Sequence, residues 1–289
     1  MVQDKSLSSR LVDFLNTLFL IIISLLCILP FLHILAGSLA PVEEAISKDF
    51  ILWPSRLSLE AYQYVFSTGT IIRSMLVTIG VTIVGTFINI LFTSWMAYAL
   101  SRTQLKGRNV ILFAVVFTML FQGGIIPTYL VVRGLGLLNT YLSLILPVAV
   151  SAFNLVVMKN FYQQIPKELE ESAKMDGAND LYIFFSVMVP LSLAAISTFS
   201  LFYAVGHWNQ YFSAVLYIRD STKWPLQVLL RQIVILSEVG VGDSDSEFVM
   251  PQKSVQMATI VVATVPILIV YPLLQKHFIK GVMLGSIKG

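Results

Sequence analysis

The sequence predicts an all-α, polytopic membrane protein with six transmembrane helices. Hydrophobic residues make up 56% of the 289-residue chain, charged residues make up only 12%, and the mean hydropathy is +0.81. Soluble domains carry about 25% charged residues. A bilayer core of about 30 Å requires roughly 20 consecutive apolar residues in a helix. Six runs of this kind occur, at residues 11–36, 74–100, 110–132, 141–158, 181–208 and 254–274.

The first run, residues 11–36, is predicted to be an uncleaved span rather than a signal peptide. Lys5 and Arg10 precede the run, and AGSLA at 36–40 resembles a cleavage site. The apolar core of a signal peptide, however, is only about 7–15 residues long. Cys27, the only cysteine of the chain, lies within the run and can form no internal disulfide.

Prolines are expected to kink several of the spans. Four of them lie in or near the later runs: Pro127, Pro147, Pro190 and Pro266. A proline within a helix removes a backbone hydrogen bond and bends the axis, which neighbouring helices in a membrane bundle can tolerate.

The distribution of lysine and arginine predicts that both termini face the cytoplasm, because cytoplasmic loops carry an excess of these residues. The links after the second and fourth runs are rich in them: Arg102, Lys106, Arg108, Lys159, Lys167 and Lys174. The link after the third run has only Arg133. We therefore assign residues 1–10 and 276–289 to the cytoplasm, and residues 37–72 and 219–253 to the outer side.

A compact polar helix is predicted at residues 166–178, between the fourth and fifth runs. Pro166 suits a first helical position, and Gly177 suits the position that ends a helix. Three glutamates would complement the positive end of the helix dipole: Glu168, Glu170 and Glu171. Leu169 and Ala173 share a face, and small side chains would let another backbone approach closely. The residues alone leave two interpretations open, a helix that docks in a groove and a solvated linker.

The same segment resembles the EAA motif of type I ABC importer permeases. The matching residues are Glu171-Ser172-Ala173, Asp176-Gly177-Ala178, Phe184 or Phe185, and Pro190-Leu191. Ser172 replaces the usual first alanine, and Ala194 stands where many members of the family have a second proline. The resemblance implies a cytoplasmic coupling helix that docks in a cleft of an ATP-hydrolysing subunit. The residues implied in this coupling are Leu169, Glu171, Ser172, Ala173, Asp176, Gly177 and Ala178.

Further segments resemble the LplC/YtcP branch of this family, whose members belong to importers of complex oligosaccharides. These segments are WPSRLSLEAYQYVF at 53–66, FQGGIIPTYL at 121–130, LGLLNT at 135–140, MKNF at 158–161, HWNQYF at 207–212 and the terminal GVMLGSIKG. The resemblance implies the type I (MetI-like) permease fold, with residues 73–275 as the transmembrane domain of the importer.

The resemblance also implies a permease subunit in the plasma membrane of a bacterium that works with several partners. The partners are a second, homologous permease, a cytoplasmic ATPase dimer, an extracellular solute-binding lipoprotein and an oligosaccharide substrate. ATP and Mg²⁺ would be bound by the ATPase, and no cofactor by this chain. The net charge of +3 is small and scattered, so no nucleic-acid partner is expected.

Other classes of function fit the sequence less well. Ion-coupled carriers usually hold ionisable side chains within the membrane, and the second, third, fourth and sixth runs contain no Asp, Glu, Lys or Arg. The alternative is a channel, or a secondary carrier that binds sodium through backbone carbonyls; a non-transporting scaffold is a weaker third hypothesis. An enzyme is not expected, because the GxxxxGK[ST], HExxH and GxSxG motifs are absent. The three histidines are interpreted as interfacial side chains rather than metal ligands: His33, His207 and His277.

Polar and aromatic side chains at membrane depth are the candidates for contact with a sugar, which needs hydroxyl partners and flat apolar faces. These candidates are Asn89, Asn154, Tyr203, Trp208, Asn209 and Tyr211. Helix packing, or an aromatic belt at the membrane surface, explains the same residues and is favoured over contact with a sugar.

The outer segment 219–253 is long for a turn and carries four acidic residues beside Gly240 and Gly242: Glu238, Asp243, Asp245 and Glu247. It is interpreted as a mobile loop that meets the solute-binding protein. An inert surface loop is the alternative, whereas the spacing in DSDSE does not fit a 12-residue calcium loop.

Overall fold

The computed structural model describes residues 7–239 and 253–286, and every regular element within these ranges is helical. The described residues divide into two compact units, the first comprising residues 7–69, 230–239 and 253–264 and the second comprising residues 70–229 and 265–286. The α-helices are, in chain order, α1 (Leu7–Ser38), α2 (Val42–Ser47), α3 (Glu60–Ser67), α4 (Gly69–Ser101), α5 (Arg108–Leu120), α6 (Ile125–Gly134), α7 (Leu142–Ile145), α8 (Ala152–Gln164), α9 (Lys167–Met175), α10 (Asp180–Ile183), α11 (Val189–Leu191), α12 (Leu193–Trp208), α13 (Phe212–Tyr217), α14 (Leu226–Val239) and α15 (Lys253–Ser286).

Three helices are long and apolar enough to cross a bilayer: Ser9–Ser38, Gly69–Ser101 and Lys253–Val270. Two further spans are possible if each of two bent pairs counts as one, Leu142–Val148 with Ala152–Gln164 and Asp180–Leu191 with Leu193–Trp208. The described residues therefore support up to five spans by length and composition, and the predicted number of six is not confirmed.

The predicted third span, residues 110–132, consists instead of the two short helices α5 and α6. The helices are separated by residues 121–124, and Gly124 adopts a φ of +83°. Such a backbone conformation cannot continue a right-handed helix. Residues 121–124 are FQGG and carry no charge, so the run passes the length and charge criteria for a span although its helix is broken here.

The second unit has a break between α7 and α8, where side chains from other helices satisfy the exposed backbone groups. Asn89 Nδ2 donates to the carbonyl oxygen of Val148 at 3.0 Å. The backbone N–H of Ser151 donates to the Tyr203 hydroxyl at 2.9 Å, and this hydroxyl is also 2.8 Å from Thr93 Oγ1. In hydrocarbon no water can make these bonds, so α4 and α12 stabilise the bend.

A core cluster joins α4, α8, α10 and α12 within the second unit. Its buried members are Ala97, Tyr98, Met158, Tyr162, Ile183, Phe184, Met188, Ala195, Phe199 and Tyr203. Phe184, one of the two phenylalanines that could match the EAA motif, begins a π-helical segment, Phe184–Met188. The chain then bends by 84° between residues 180–191 and α12. Ala194 lies just after this bend, so a second proline is not needed to produce it.

In the first unit, Glu44 organises the segment that follows α1. Its side chain is buried, and the carboxylate accepts hydrogen bonds from Lys48 Nζ at 2.8 Å, from Ser55 N at 2.9 Å and from Ser55 Oγ at 2.6 Å. These bonds, that of Lys48 most strongly, lower the pKa of Glu44 to about 2. The carboxylate thus fixes the turn at residue 55 against α2.

We expect Glu44→Gln to lower the thermal unfolding midpoint at neutral pH, by an amount that shrinks at acid pH. Because the pKa of Glu44 falls from an ordinary value of 4.5 to about 2 on folding, the ionised carboxylate stabilises the folded state fully above pH 4.5. This contribution is lost as the pH falls through about 2. Tryptophan fluorescence of the protein in lipid nanodiscs, followed from about pH 7 to about pH 3, measures the difference.

Glu43→Gln is the matched control, because Glu43 lies on the same helix and is exposed. It should leave the midpoint close to native at every pH. A difference between native protein and Glu44→Gln that is the same at both ends of this pH range would contradict the role of the ionised carboxylate.

Tyr203→Phe tests the bend between α7 and α8. The substitution removes the hydroxyl that accepts from Ser151 N and leaves this N–H unpaired, so we expect a loss of about 1 kcal/mol and a midpoint lower by about 2–4 °C. Tyr182→Phe removes a hydroxyl from an exposed ring and should change the midpoint little. Equal midpoints for the two variants would show that the Tyr203 hydroxyl does not support the bend.

Candidate coupling site

The polar helix predicted at residues 166–178 is α9 with its two ends. Pro166 occupies the N-cap position, one residue before the first helical turn, and Gly177 follows the helix with a φ of +82°. Gly177 N donates to the Lys174 carbonyl and Ala178 N to the Ala173 carbonyl, both at 3.0 Å. This pair of bonds is the Schellman arrangement, which requires a left-handed residue and therefore favours glycine.

One face of α9 is turned away from the rest of the second unit. Of the residues that the sequence assigned to coupling, those exposed on this helix or just after it are Leu169, Glu171, Ser172, Asp176 and Gly177. Met175 lies on the same face with 89% of its surface exposed. An exposed methionine in the middle of a polar face is a typical adaptable contact. Met175 is not among the residues that match the EAA motif, although its spacing of three from Ser172 indicates a shared face.

The other face of α9 packs against its own protein. Ala173 and Ala178 are half-buried and lie against the core cluster. Two of the residues predicted to contact the ATPase thus contact the membrane part of this chain. Gly177 is exposed, and a side chain at this position would meet no neighbour within 4 Å. Its conformation rather than lack of space restricts the residue.

Glu170 is the buried charged residue of α9. It forms an ion pair with Arg102, at the residue that follows α4, and a second one with Lys174 at 3.1 Å on its own helix. Lys174 also lies 3.5 Å from a carboxylate oxygen of Asp180, in α10. The four residues form a charged cluster that connects α9 with α4 and α10. The sequence analysis assigned Glu170 only to the helix dipole.

The guanidinium of Arg102 is held in place by an aromatic ring as well as by Glu170. It lies 4.3 Å from the ring centroid of Tyr98, one turn earlier on α4. Tyr98 packs against Phe184 with a centroid distance of 5.3 Å and edge-on against Tyr162 at 6.2 Å. The charged cluster therefore rests directly on the core cluster.

The candidate solute-path residues do not form one group: some are buried between helices and others are exposed. Asn89 and Tyr203 are buried and hold the bend between α7 and α8. Asn154 is buried near the start of α8, and Asn209 is exposed and donates to the carbonyl of Val205 at 2.9 Å. Tyr211 packs against a separate cluster that includes Ala214 and Tyr217. Contacts that stabilise helix packing thus account for Asn89 and Tyr203.

Trp208 borders an apolar cavity of about 490 Å³ between α4, α12 and α15. Thr82 and Thr86 line the same cavity, and their hydroxyls are buried without a hydrogen-bond partner. His207, the neighbour of Trp208, is buried against Gly85, where a Cβ would collide with the imidazole. The end of α12 therefore packs closely against α4 at Gly85.

Part of the outer segment 219–253 is held by Asn139, in the LGLLNT stretch. Its side-chain oxygen accepts from the backbone N–H groups of Arg219 at 3.2 Å and Asp220 at 3.1 Å, and its carbonyl accepts from Lys223 Nζ at 3.0 Å. Hydrogen bonds from Thr222 to the Asp220 carboxylate lower the pKa of Asp220. Of the acidic residues predicted to meet a binding protein, Glu238 falls near the end of α14, and those at positions 243, 245 and 247 lie outside the described residues.

The matching family and one of the matching relatives are both described as parts of transport systems. The family described as "Binding-protein-dependent transport system inner membrane component" matches residues 106–284. The chain is 56% identical to the Bacillus subtilis polygalacturonan/rhamnogalacturonan transport system permease protein YtcP over 286 residues, 98% of this chain and 100% of the relative. It is 53% identical to the Bacillus subtilis protein LplC, with 98% and 96% of the two chains covered.

A solved structure agrees with this grouping. The crystal structure of a bacterial ABC transporter involved in the import of the acidic polysaccharide alginate contains a chain that is 34% identical and superposes with a TM-score of 0.87. The match covers 94% of this chain and 98% of the other. The chain therefore belongs to the binding-protein-dependent transport system inner membrane components, the permease family of ABC importers.

Proposed function

We propose that this chain is the permease subunit of an ATP-driven importer of complex carbohydrates, meaning oligosaccharides or polysaccharide fragments. The names of its relatives support this substrate class, since they refer to polygalacturonan/rhamnogalacturonan and to alginate. The observation that carries the mechanism is α9: a short helix with one face exposed and the other attached to the core cluster. A helix of this kind can receive a displacement from a partner and pass it into the membrane.

The proposed partner at α9 is an ATPase dimer in the cytoplasm, which would bind ATP and Mg²⁺. The contact surface is the exposed face, formed by Leu169, Glu171, Ser172, Met175 and Asp176. ATP binding would close the dimer and move the cleft that holds α9. The permease would alternate between a state open to the outside and a state open to the cytoplasm. The movement shifts this equilibrium only if the docked helix favours one of the two states, typically by about 1–3 kcal/mol.

The proposed topology has six spans with both termini in the cytoplasm. Length and composition support up to five spans. The sixth is proposed to consist of α5 and α6, which together would form one broken span. Non-helical backbone at membrane depth is tolerated where protein or water surrounds it. This arrangement places α9 and the link between α4 and α5 on the same side, in agreement with the ion pair between Arg102 and Glu170.

Two more partners complete the proposal. One chain of six spans is too small to enclose a passage for an oligosaccharide, so a second, homologous permease would form the other half of the pathway. An extracellular solute-binding lipoprotein would deliver the substrate to the outer side. The family description, which names a binding protein, supports this partner.

We expect Ser172→Arg to prevent co-purification of the ATPase while the permease still inserts into the membrane. Ser172 lies on the exposed face of α9, so a long, charged side chain there blocks close docking without disturbing the core cluster. The measurement is a pull-down of tagged, detergent-solubilised permease from its native membrane, with identification of every co-purifying chain. The native protein should recover an ATPase and a second permease.

Gln104→Arg is the matched control, because it adds the same side chain to an exposed position in the link between α4 and α5. It should retain the ATPase. Gly177→Asp is a less selective variant, since its left-handed backbone would strain a new side chain whether or not a partner docks. Retention of the ATPase by Ser172→Arg would contradict docking at α9, and isolation of the native permease alone would contradict the importer itself.

A further inference from the structure

The charged cluster of Arg102, Glu170, Lys174 and Asp180 connects parts of the chain that are distant in sequence. Lys174 pairs with Glu170 within α9, and Asp180 follows α9 after a short turn. Arg102 differs from both because it directly follows α4, which is separated from α9 by four further α-helices. The Arg102–Glu170 pair is therefore the cross-link between α9 and α4 within this cluster.

The pair is largely removed from solvent. The exposed fraction of the side chain is 11% for Glu170 and 28% for Arg102. Tyr98 covers one face of the guanidinium, and the core cluster lies directly beyond the ring. A charge in such surroundings loses its hydration and depends on its partner. Arg102 and Glu170 are thus constrained to remain together when α9 moves.

Arg102 connects α9 to α4, and α4 also contacts α12 and the bend between α7 and α8. Asn89 of α4 binds the Val148 carbonyl at the bend between α7 and α8. Thr93 of α4 binds Tyr203 of α12, whose hydroxyl accepts from the same bend. A displacement that reaches the end of α4 therefore has hydrogen-bonded contacts through which it can act on two further spans.

We propose that the Arg102–Glu170 ion pair is the connection that transmits the displacement of α9 to α4, and through α4 to α12 and to the bend between α7 and α8. Both residues are positioning residues, and neither contacts the solute or the ATPase in this scheme. The inference rests on the proposed docking of an ATPase on α9. It assigns the two faces of α9 separate tasks: the exposed face binds the partner, and Glu170 passes on its motion.

The test measures uptake and ATP hydrolysis together in vesicles that contain the whole complex, including the second permease, the ATPase dimer and the binding lipoprotein. Labelled oligogalacturonides serve as the probe. For Arg102→Gln and Glu170→Gln we expect ATP hydrolysis to continue while uptake per ATP falls by roughly 5- to 150-fold, the range of a typical coupling. The double variant Arg102→Gln/Glu170→Gln should be no worse than either single variant, because all three remove the same connection.

Two further variants separate transmission from simple loss of folding. Lys174→Gln removes the pair within α9 but leaves the connection to α4, so uptake per ATP should remain close to native. Arg102→Lys keeps a positive charge beside Glu170 and should restore part of the uptake that Arg102→Gln loses. Co-purification of the ATPase with each variant verifies that the complex is intact.

Native uptake per ATP in Arg102→Gln and Glu170→Gln would overturn the inference and leave the proposed function standing. Additive losses in the double variant would overturn it as well, since they would show that the two residues act independently. Failure of the proposed function has a different signature, the absence of ATP-dependent uptake in the native complex itself.

Discussion

The lack of water in the hydrocarbon core is the constraint on which this structure depends. Every backbone N–H and C=O at that depth must find a partner within the protein, and a helix provides one for each interior group. Where the chain leaves the helix between α7 and α8, Asn89 and Tyr203 replace the missing partners. Polar side chains inside the membrane therefore accompany the breaks, and the breaks give the second unit places at which helices can bend.

The sequence predicted those features that depend on composition along the chain. The all-α class and the apolar runs at 11–36 and 74–100 agree with α1 and α4, because hydropathy records the length of an apolar segment. The same measure failed at 110–132. The interruption there is a matter of backbone conformation, centred on a glycine with positive φ. Pro147 and Pro190 indicated bends in the fourth and fifth spans, but not that Tyr203 would support one of them.

The position of α9 in the chain was predictable from the sequence, whereas the side of the helix that faces the rest of the protein was only partly predictable. Pro166 and Gly177 mark the two ends of α9, since each fits a backbone geometry that few residues adopt. Which side of the helix faces the protein depends on Arg102, a residue far away in the sequence. Without it, Glu170 resembles its exposed neighbour Glu171. Ala173 was assigned to the docking face because it is small, yet small residues serve equally well where a helix lies against its own core.

An ion pair suits the attachment of α9 better than apolar contact alone would. Apolar contacts are non-directional, so two apolar surfaces can shift against each other at little cost in free energy. A guanidinium–carboxylate pair instead fixes both the distance and the orientation of the two side chains. Removing one partner of a buried ion pair costs about 3–5 kcal/mol, more than the roughly 1–3 kcal/mol of a typical coupling between two sites, and the side chains of Glu170 and Arg102 are only 11% and 28% exposed. The Arg102–Glu170 pair would therefore outlast the displacement it transmits. Lys174 pairs with Glu170 within α9 and adds no contact to α4, so within the charged cluster the displacement reaches α4 through Arg102.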